Sequence, residues 1–411
     1  MNAVPKIDMA EVTRLTREGR LGQAMAVLRA ALPAASPSAA HSGPGEGTQP
    51  GPSRATAPML DMTPPSAGAG SAWSSASSGE ASADERSQGT GRSQIPEALR
   101  GFLARASRSE QFESLIEPSA RKAPARLPYG AKFEERSFAN AAGSRAYKIY
   151  VPSGYRGQAV PLVVMLHGCT QSPDDFAAGT GMNEVAEEHT FLVAYPAQSQ
   201  AANTSRCWNW FKPGDQQRHQ GEPALIAGIT RQIMEDFSVA PGRVYIAGLS
   251  AGGAAAAIMG ATYPDLYAAI GVHSGLACGA ARDMPSAFTA MRQGGSSAVV
   301  ASPNGSGVLP TIVFHGDRDT TVNPVNGAQV IAQSAGAGDL SRTVSHGKSP
   351  AGMRYTRTVQ ADASGRTVTE HWVLHGAGHA WSGGSSAGTY TEPRGPDASR
   401  EMLRFFLQHA N

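Results

Sequence analysis

The stretch "YIAGLSAGGAAAA", Tyr245 to Ala257, sets a serine between glycines directly after an apolar run, and its reading decides the fold. A second serine has the same flanking pattern, Gly384, Ser386 and Gly388 in "GGSSAG". With 47 glycines in 411 residues, chance alone supplies on the order of half of one such pattern, so context must separate the two. Ser250 follows a β-rich run, and a good helix former comes after it. A strand–serine–helix junction forces a tight turn, and the tiny residues Gly248, Ala251, Gly252 and Gly253 allow it. Such a turn lifts a hydroxyl above a sheet at a helix N-terminus, where negative charge is favoured. Ser386 lies in "WSGGSSAGTYTEPRGP", which is turn chemistry throughout. Ser250 is the candidate nucleophile.

Around that junction run short, continuous apolar segments: "VPLVVML" (160–166), "FLVAY" (191–195), "RVYIAG" (243–248), "AAIGVH" (268–273) and "PTIVFH" (310–315). Continuous rather than alternating runs suit strands buried on both faces, as in a parallel sheet covered by helices. "RAYKIYV" (145–151) alternates, as an early, partly exposed strand does. Helical segments fall between the runs, at 182–189, 222–237, 251–263 and 324–334, with a last one at 396–409. The pattern predicts an α/β fold: a mostly parallel sheet flanked by helices, with its site beyond the carboxyl ends of the strands.

A serine hydroxyl needs a base, and the base needs an acid to orient it. "PTIVFHGDRDTTV" ends its strand with Asp317 and Asp319; the turn favours Asp319 as the acid and leaves Asp317 to tie backbone N–H groups. "VLHGAGHAWSGG" offers His375 and His379; the glycine-flanked His379 is the candidate base, and His375 packs or caps a strand end. His315, His167 and His273 read as structural. The oxyanion of an ester intermediate needs two backbone donors: the N–H of Ala251, after the nucleophile, and that of Cys169, in the loop following "VVMLHG".

Net charge is +2 with no dense basic block, which argues against nucleic acid as a partner. No apolar run reaches the roughly eighteen residues of a membrane span. Asp8, Glu11, Arg14 and Arg17 interrupt every apolar core near the N-terminus, so no secretion signal is read and the expected compartment is cytoplasmic. Three cysteines, Cys169, Cys207 and Cys278, leave two arrangements open: one disulfide with a free thiol, or three thiols. Cys278 reads as a small core residue. No metal or cofactor is called for. Residues 1–32 form a short helical segment that docks on a partner or polymer granule, or is helical only part of the time. Residues 33–93 are an Ala/Ser/Pro/Gly-rich disordered linker, 94–126 a helical lead-in, and 127–411 the catalytic domain.

From Tyr147 to His409 the chain resembles the bacterial polyhydroxybutyrate depolymerase-type esterases of the α/β-hydrolase fold, relatives of the feruloyl and acetylxylan esterases. The resemblance rests on "YVPSGY", "PLVVMLHGCTQSPDDFAAGTGMNEVAEEHTFLVAYPAQ", "CWNWF", "GLSAGG", "VFHGDRDTTVNP" and "GAGHAWSGG" together. It implies the nucleophile at Ser250, the acid at Asp319, the base at His379 and the oxyanion loop at Cys169. It also implies that "CWNWF" lies near the substrate cleft, that Cys207 bridges to Cys169, and that Trp208 or Trp210 walls the acyl chain. The implied activity is cofactor-independent cleavage of short hydroxyalkanoate esters or polyester, with feruloyl or acetylated sugar esters as the alternative and an extracellular location as the family's. A rival of another class is a granule- or partner-binding protein on an inactive scaffold.

Overall fold

A computed structural model describes residues 127–295, 309–336 and 339–410. The segments expected at 1–32, 33–93 and 94–126 lie outside the described residues. In chain order the elements are β1 (Lys132–Asn140), β2 (Gly143–Val151), β3 (Val160–Leu166), α1 (Pro173–Thr180), α2 (Met182–His189) and β4 (Leu192–Pro196). Then come α3 (Gly221–Asp236), β5 (Val239–Leu249), α4 (Ala251–Thr262), β6 (Ala269–His273), α5 (Met284–Gln293), β7 (Thr311–Gly316) and α6 (Val325–Ala335). The chain closes with β8 (Ser341–Lys348), β9 (Arg354–Ala361), β10 (Thr367–Leu374), β11 (Trp381–Ser382), β12 (Thr391–Glu392) and α7 (Ala398–Phe406).

One ten-stranded sheet runs β1-β2-β4-β3-β5-β6-β7-β10-β9-β8. The pairs from β4 through β10 are all parallel, while β1–β2, β2–β4, β10–β9 and β9–β8 are antiparallel. The parallel core is made of the continuous apolar runs, because helices cover both of its faces. Alternation decides which face each residue serves. Leu162, Val164, Leu166 and Ile246 pack towards α3 and α4, whereas Val163, Met165, Tyr245 and Ala247 pack towards α1, α2 and α7.

The expected strands and helices form within a few residues of their predicted bounds. Seven elements are additional, β1, β11 and β12 among them. α1 has the start signal of an N-cap Ser172, Pro173 and two acidic residues, and α5 has a capping box between Asp283 and Ser286. β8 and β9 carry no apolar signal, since β8 is exposed nearly throughout; they form by pairing onto the edge that β10 leaves open. Among the described residues no helix is long and apolar enough to cross a membrane.

α7 closes the far face. Phe406 stacks on Tyr245 with ring centroids 5.0 Å apart, and Met402, Leu403 and Phe405 are buried beside it. Phe406→Ala should therefore lower the unfolding free energy by about 3–5 kcal/mol in urea titration, the usual cost of emptying a buried aromatic site.

Candidate active site

Ser250 joins β5 to α4 with φ 58° and ψ −119°, a conformation that non-glycine residues rarely hold. Two close approaches enforce it. A Cβ on Gly252 would lie 2.0 Å from the Leu166 carbonyl oxygen, and one on Gly248 would lie 2.4 Å from the Gly252 backbone. The Ser250 N–H donates to the His273 carbonyl at 2.9 Å, fixing the turn against β6.

Asp319 follows β7 and is 5% exposed. Its Oδ1 accepts the Thr321 and Val322 N–H groups, each at 2.8 Å, and its Oδ2 lies 2.7 Å from His379 Nδ1. Burial alone would raise this carboxyl, but the His379 and His315 rings outweigh it and hold it well below the usual carboxylate range. Ionised, Asp319 makes His379 Nδ1 the protonated nitrogen and leaves Nε2 for proton exchange. The loops carrying the pair are laced together: the Asp317 and Arg318 N–H groups donate to the Leu374 and Ala377 carbonyls, both at 3.0 Å. β5, β7 and β10 run parallel, so Ser250, Asp319 and His379 all leave the same edge of the sheet.

His273 bridges these parts. Its carbonyl holds the Ser250 N–H, its Nε2 accepts the Ser382 N–H at 3.0 Å, and its ring stacks on Phe314 and Trp381. Burial pushes it well below the usual imidazole range and keeps it neutral.

The alternatives sit elsewhere. Ser386 is exposed in the connection between β11 and β12, with no helix following it directly. Asp317 and His375 form a second pair at 2.9 Å, both 37% exposed. Asp317 also accepts the Gly376 N–H at 2.7 Å, and His375 meets Thr356 Oγ1 at 2.8 Å, so the pair clasps a turn to β9. His315 is buried, with Nε2 2.9 Å from the Val322 carbonyl.

A disulfide joins Cys169 to Cys207, and Cys278 is a buried free thiol whose burial pushes it up to about 12. His167 is also buried, which lowers it to about 4 and leaves it neutral at ordinary pH. Its Nε2 accepts the Gln198 N–H at 3.0 Å, so the ring proton sits on Nδ1 and is donated to the Gly168 carbonyl at 2.7 Å. That carbonyl shares a trans peptide with the Cys169 N–H, which therefore points away from the imidazole. Among the described residues, neither the Cys169 nor the Ala251 N–H has an acceptor.

A cleft of about 650 Å³ opens beside Ser250, Ala251 and Cys169. Trp210, Phe211, Leu276, Met284, Phe288 and Met291 contribute to its lining. Trp208 is not in the lining; it is fully buried, and its Nε1–H donates to the His167 carbonyl at 3.0 Å. The α5 residues were not among the sequence-based candidates. The capping box at Asp283 was readable, but nothing in the pattern told that helix's address.

The elbow at a strand–helix junction and the carboxylate–imidazole pair beyond later parallel strands define an α/β-hydrolase. Residues 145–343 match the family described as Esterase PHB depolymerase. A poly(3-hydroxyalkanoate) depolymerase C of Paucimonas lemoignei is 35% identical over 239 residues, covering 56% of this chain and 57% of that protein. An acetylxylan esterase of Coprinopsis cinerea is 28% identical over 267 residues, 62% of this chain and 70% of that one. The solved acetyl xylan esterase from Aspergillus awamori superimposes with a TM-score of 0.53 at 20% identity, over 67% of this chain and 99% of its own. The chain thus spans little more than half of the depolymerase it matches.

Because a Gly252 side chain would strike two carbonyls of β3 and its following loop, Gly252→Ala should destabilise the fold by about 3 kcal/mol by urea denaturation. It should also displace Ser250, so that reaction with a fluorophosphonate probe slows even among folded molecules.

Proposed function

We propose that this chain is a serine esterase that cleaves short hydroxyalkanoate esters or polyester through an acyl-enzyme. The observation that carries the reading is the buried Asp319–His379 pair, which issues from the same sheet edge as the strained Ser250. In this reading His379 Nε2 takes the Ser250 hydroxyl proton as Oγ attacks the ester carbonyl. The carbonyl electrons move onto oxygen, held by the N–H groups of Cys169 and Ala251. Collapse expels the alcohol, which receives the proton from His379. Water then repeats the cycle against the acyl-enzyme, releasing the acid and restoring Ser250.

The cleft supports the substrate class. Among the described residues no Asp, Glu, Lys, Arg or His lines it, and Trp210, Phe211, Leu276, Met284, Phe288 and Met291 offer apolar surface. An alkyl-substituted acyl chain gains from that surface, whereas a sugar would leave its hydroxyls short of partners. The acetylxylan esterase relatives favour a second reading, an acetylated-carbohydrate esterase. Purified protein should hydrolyse hydroxybutyrate oligomers with kcat/KM at least about tenfold above feruloyl or acetyl-xylan esters. The reverse order would select the second reading. Ester cleavage equal in wild type and Ser250→Ala would leave only a binding scaffold.

The two carboxylates give a further contrast. Asp319→Asn should cut kcat about ten-thousand-fold, since the imidazole loses its orienting partner. Asp317→Asn, which removes a turn clasp, should cost about tenfold or less. Equal losses in steady-state kinetics would contradict the assignment of the acid.

A further inference from the structure

Glu222 is a buried carboxylate that takes no part in the steps above. It lies in the first turn of α3 and is 4% exposed. Its oxygens accept the Asn209 N–H at 2.8 Å, Asn209 Nδ2 at 2.7 Å and Gln198 Nε2. Two arms leave this centre. Along one, Gln198 Nε2 also donates to the Cys207 carbonyl at 2.9 Å, and Asn209 Oδ1 accepts Asn203 Nδ2 at 3.1 Å. Asn203 Oδ1 in turn accepts the Ser205 N–H at 3.0 Å and the Cys207 N–H at 3.3 Å. Asn203, Ser205, Cys207 and Trp210 all line the cleft. Along the other arm, the Gln198 N–H fixes the His167 tautomer, and His167 Nδ1 holds the Gly168 carbonyl.

We propose that ionised Glu222 is a positioning residue that sets the cleft wall and the Gly168–Cys169 peptide together, and that its protonation loosens both. The proposal rests on the esterase reading. Every hydrogen-bond partner of the carboxylate donates, so a proton on either oxygen would face an N–H and break part of the set.

The charges around Glu222 oppose one another. Burial pushes its carboxyl up, Asp215 in the turn before α3 pushes it further, and the Asn209 and Gln198 donors pull it down, with the balance at about 7. Arg145 on β2 stands 3.8 Å away, beyond hydrogen-bond reach, and also favours the charged form. A carboxyl raised on folding contributes stability below its ordinary value and loses that contribution as pH rises through about 7. The ionised form is therefore the less stable one for the fold and the one that its donors fit. Retaining it serves position rather than stability.

The test compares wild type, Ser250→Ala and Glu222→Gln for hydrolysis of 4-nitrophenyl butyrate from pH 5.5 to 9, with thermal unfolding and backbone amide exchange. Wild-type kcat/KM should fall towards acid with a slope one proton steeper than that of Glu222→Gln. Glu222→Gln should keep or raise Tm, lose about ten- to a hundredfold in kcat, and exchange faster at 167–171 and 203–211. Unchanged kcat, slope and exchange would overturn the proposal, as would a lowered Tm with unchanged kinetics per folded molecule. If Glu222→Gln does not fold, Asn209→Ser, which keeps the carboxylate and removes one donor, must show the same losses or the proposal fails. Should wild type not exceed Ser250→Ala on the ester, the esterase reading fails, and amide exchange alone decides the positioning role.

Discussion

The end of β3, the end of β5 and the start of α4 meet with no room for a side chain between them. Gly252 sits against the carbonyls of Leu166 and His167, and Gly248 against Gly252. That backbone-on-backbone contact forces Ser250 into a positive φ at the helix start, and the surroundings must be rigid enough to hold it there. The rigidity comes from the sheet: β3, β5 and β6 are buried on both faces, and β6 receives the Ser250 N–H through His273.

Around that fixed point the loops are held by polar chemistry rather than by packing. Asp319 is charged because two imidazoles and two backbone N–H groups face it, despite its burial. His167 and His273 are neutral because no carboxylate bonds to them and the interior penalises their charge. Each buried ring therefore has one defined tautomer, and through it orients a specific peptide. The disulfide adds a covalent tie between the loop after β3 and the aromatic segment. A bridge of this kind persists where the surroundings are oxidising.

The cleft shows how one fold divides labour between ordered parts. Trp210 and Phe211 follow Cys207, which is bridged to Cys169, and Asn209, which bonds Glu222; Met284, Phe288 and Met291 of the lining come from α5. α5 is itself pinned at its far end, where Asn323 and Asn326 bond the carbonyls of Met291, Arg292 and Ala290. Its methionines present an adaptable surface to the opening. The cleft is thus assembled from segments more than seventy residues apart in the chain.

Local pattern reached the parallel core, because double burial writes itself as continuous apolar runs, and it reached Ser250, because a strand–serine–helix junction demands small neighbours. It separated Asp319 from Asp317 and His379 from His375 only as a preference; the 2.7 Å bond and the burial of Asp319 come from folding. Trp208 and Trp210, two residues apart, were indistinguishable in sequence, yet one donates to the loop after β3 and the other meets the cleft. β8 and β9, whose polar residues gain from pairing at a sheet edge, left no trace in hydropathy. The sequence by itself determined the layered architecture and the residue types of the reaction, since periodicity and turn chemistry are short-range. Only the tertiary structure decided that Asp319 and His379 meet, because a hydrogen bond across 60 residues of chain depends on the register of every strand between.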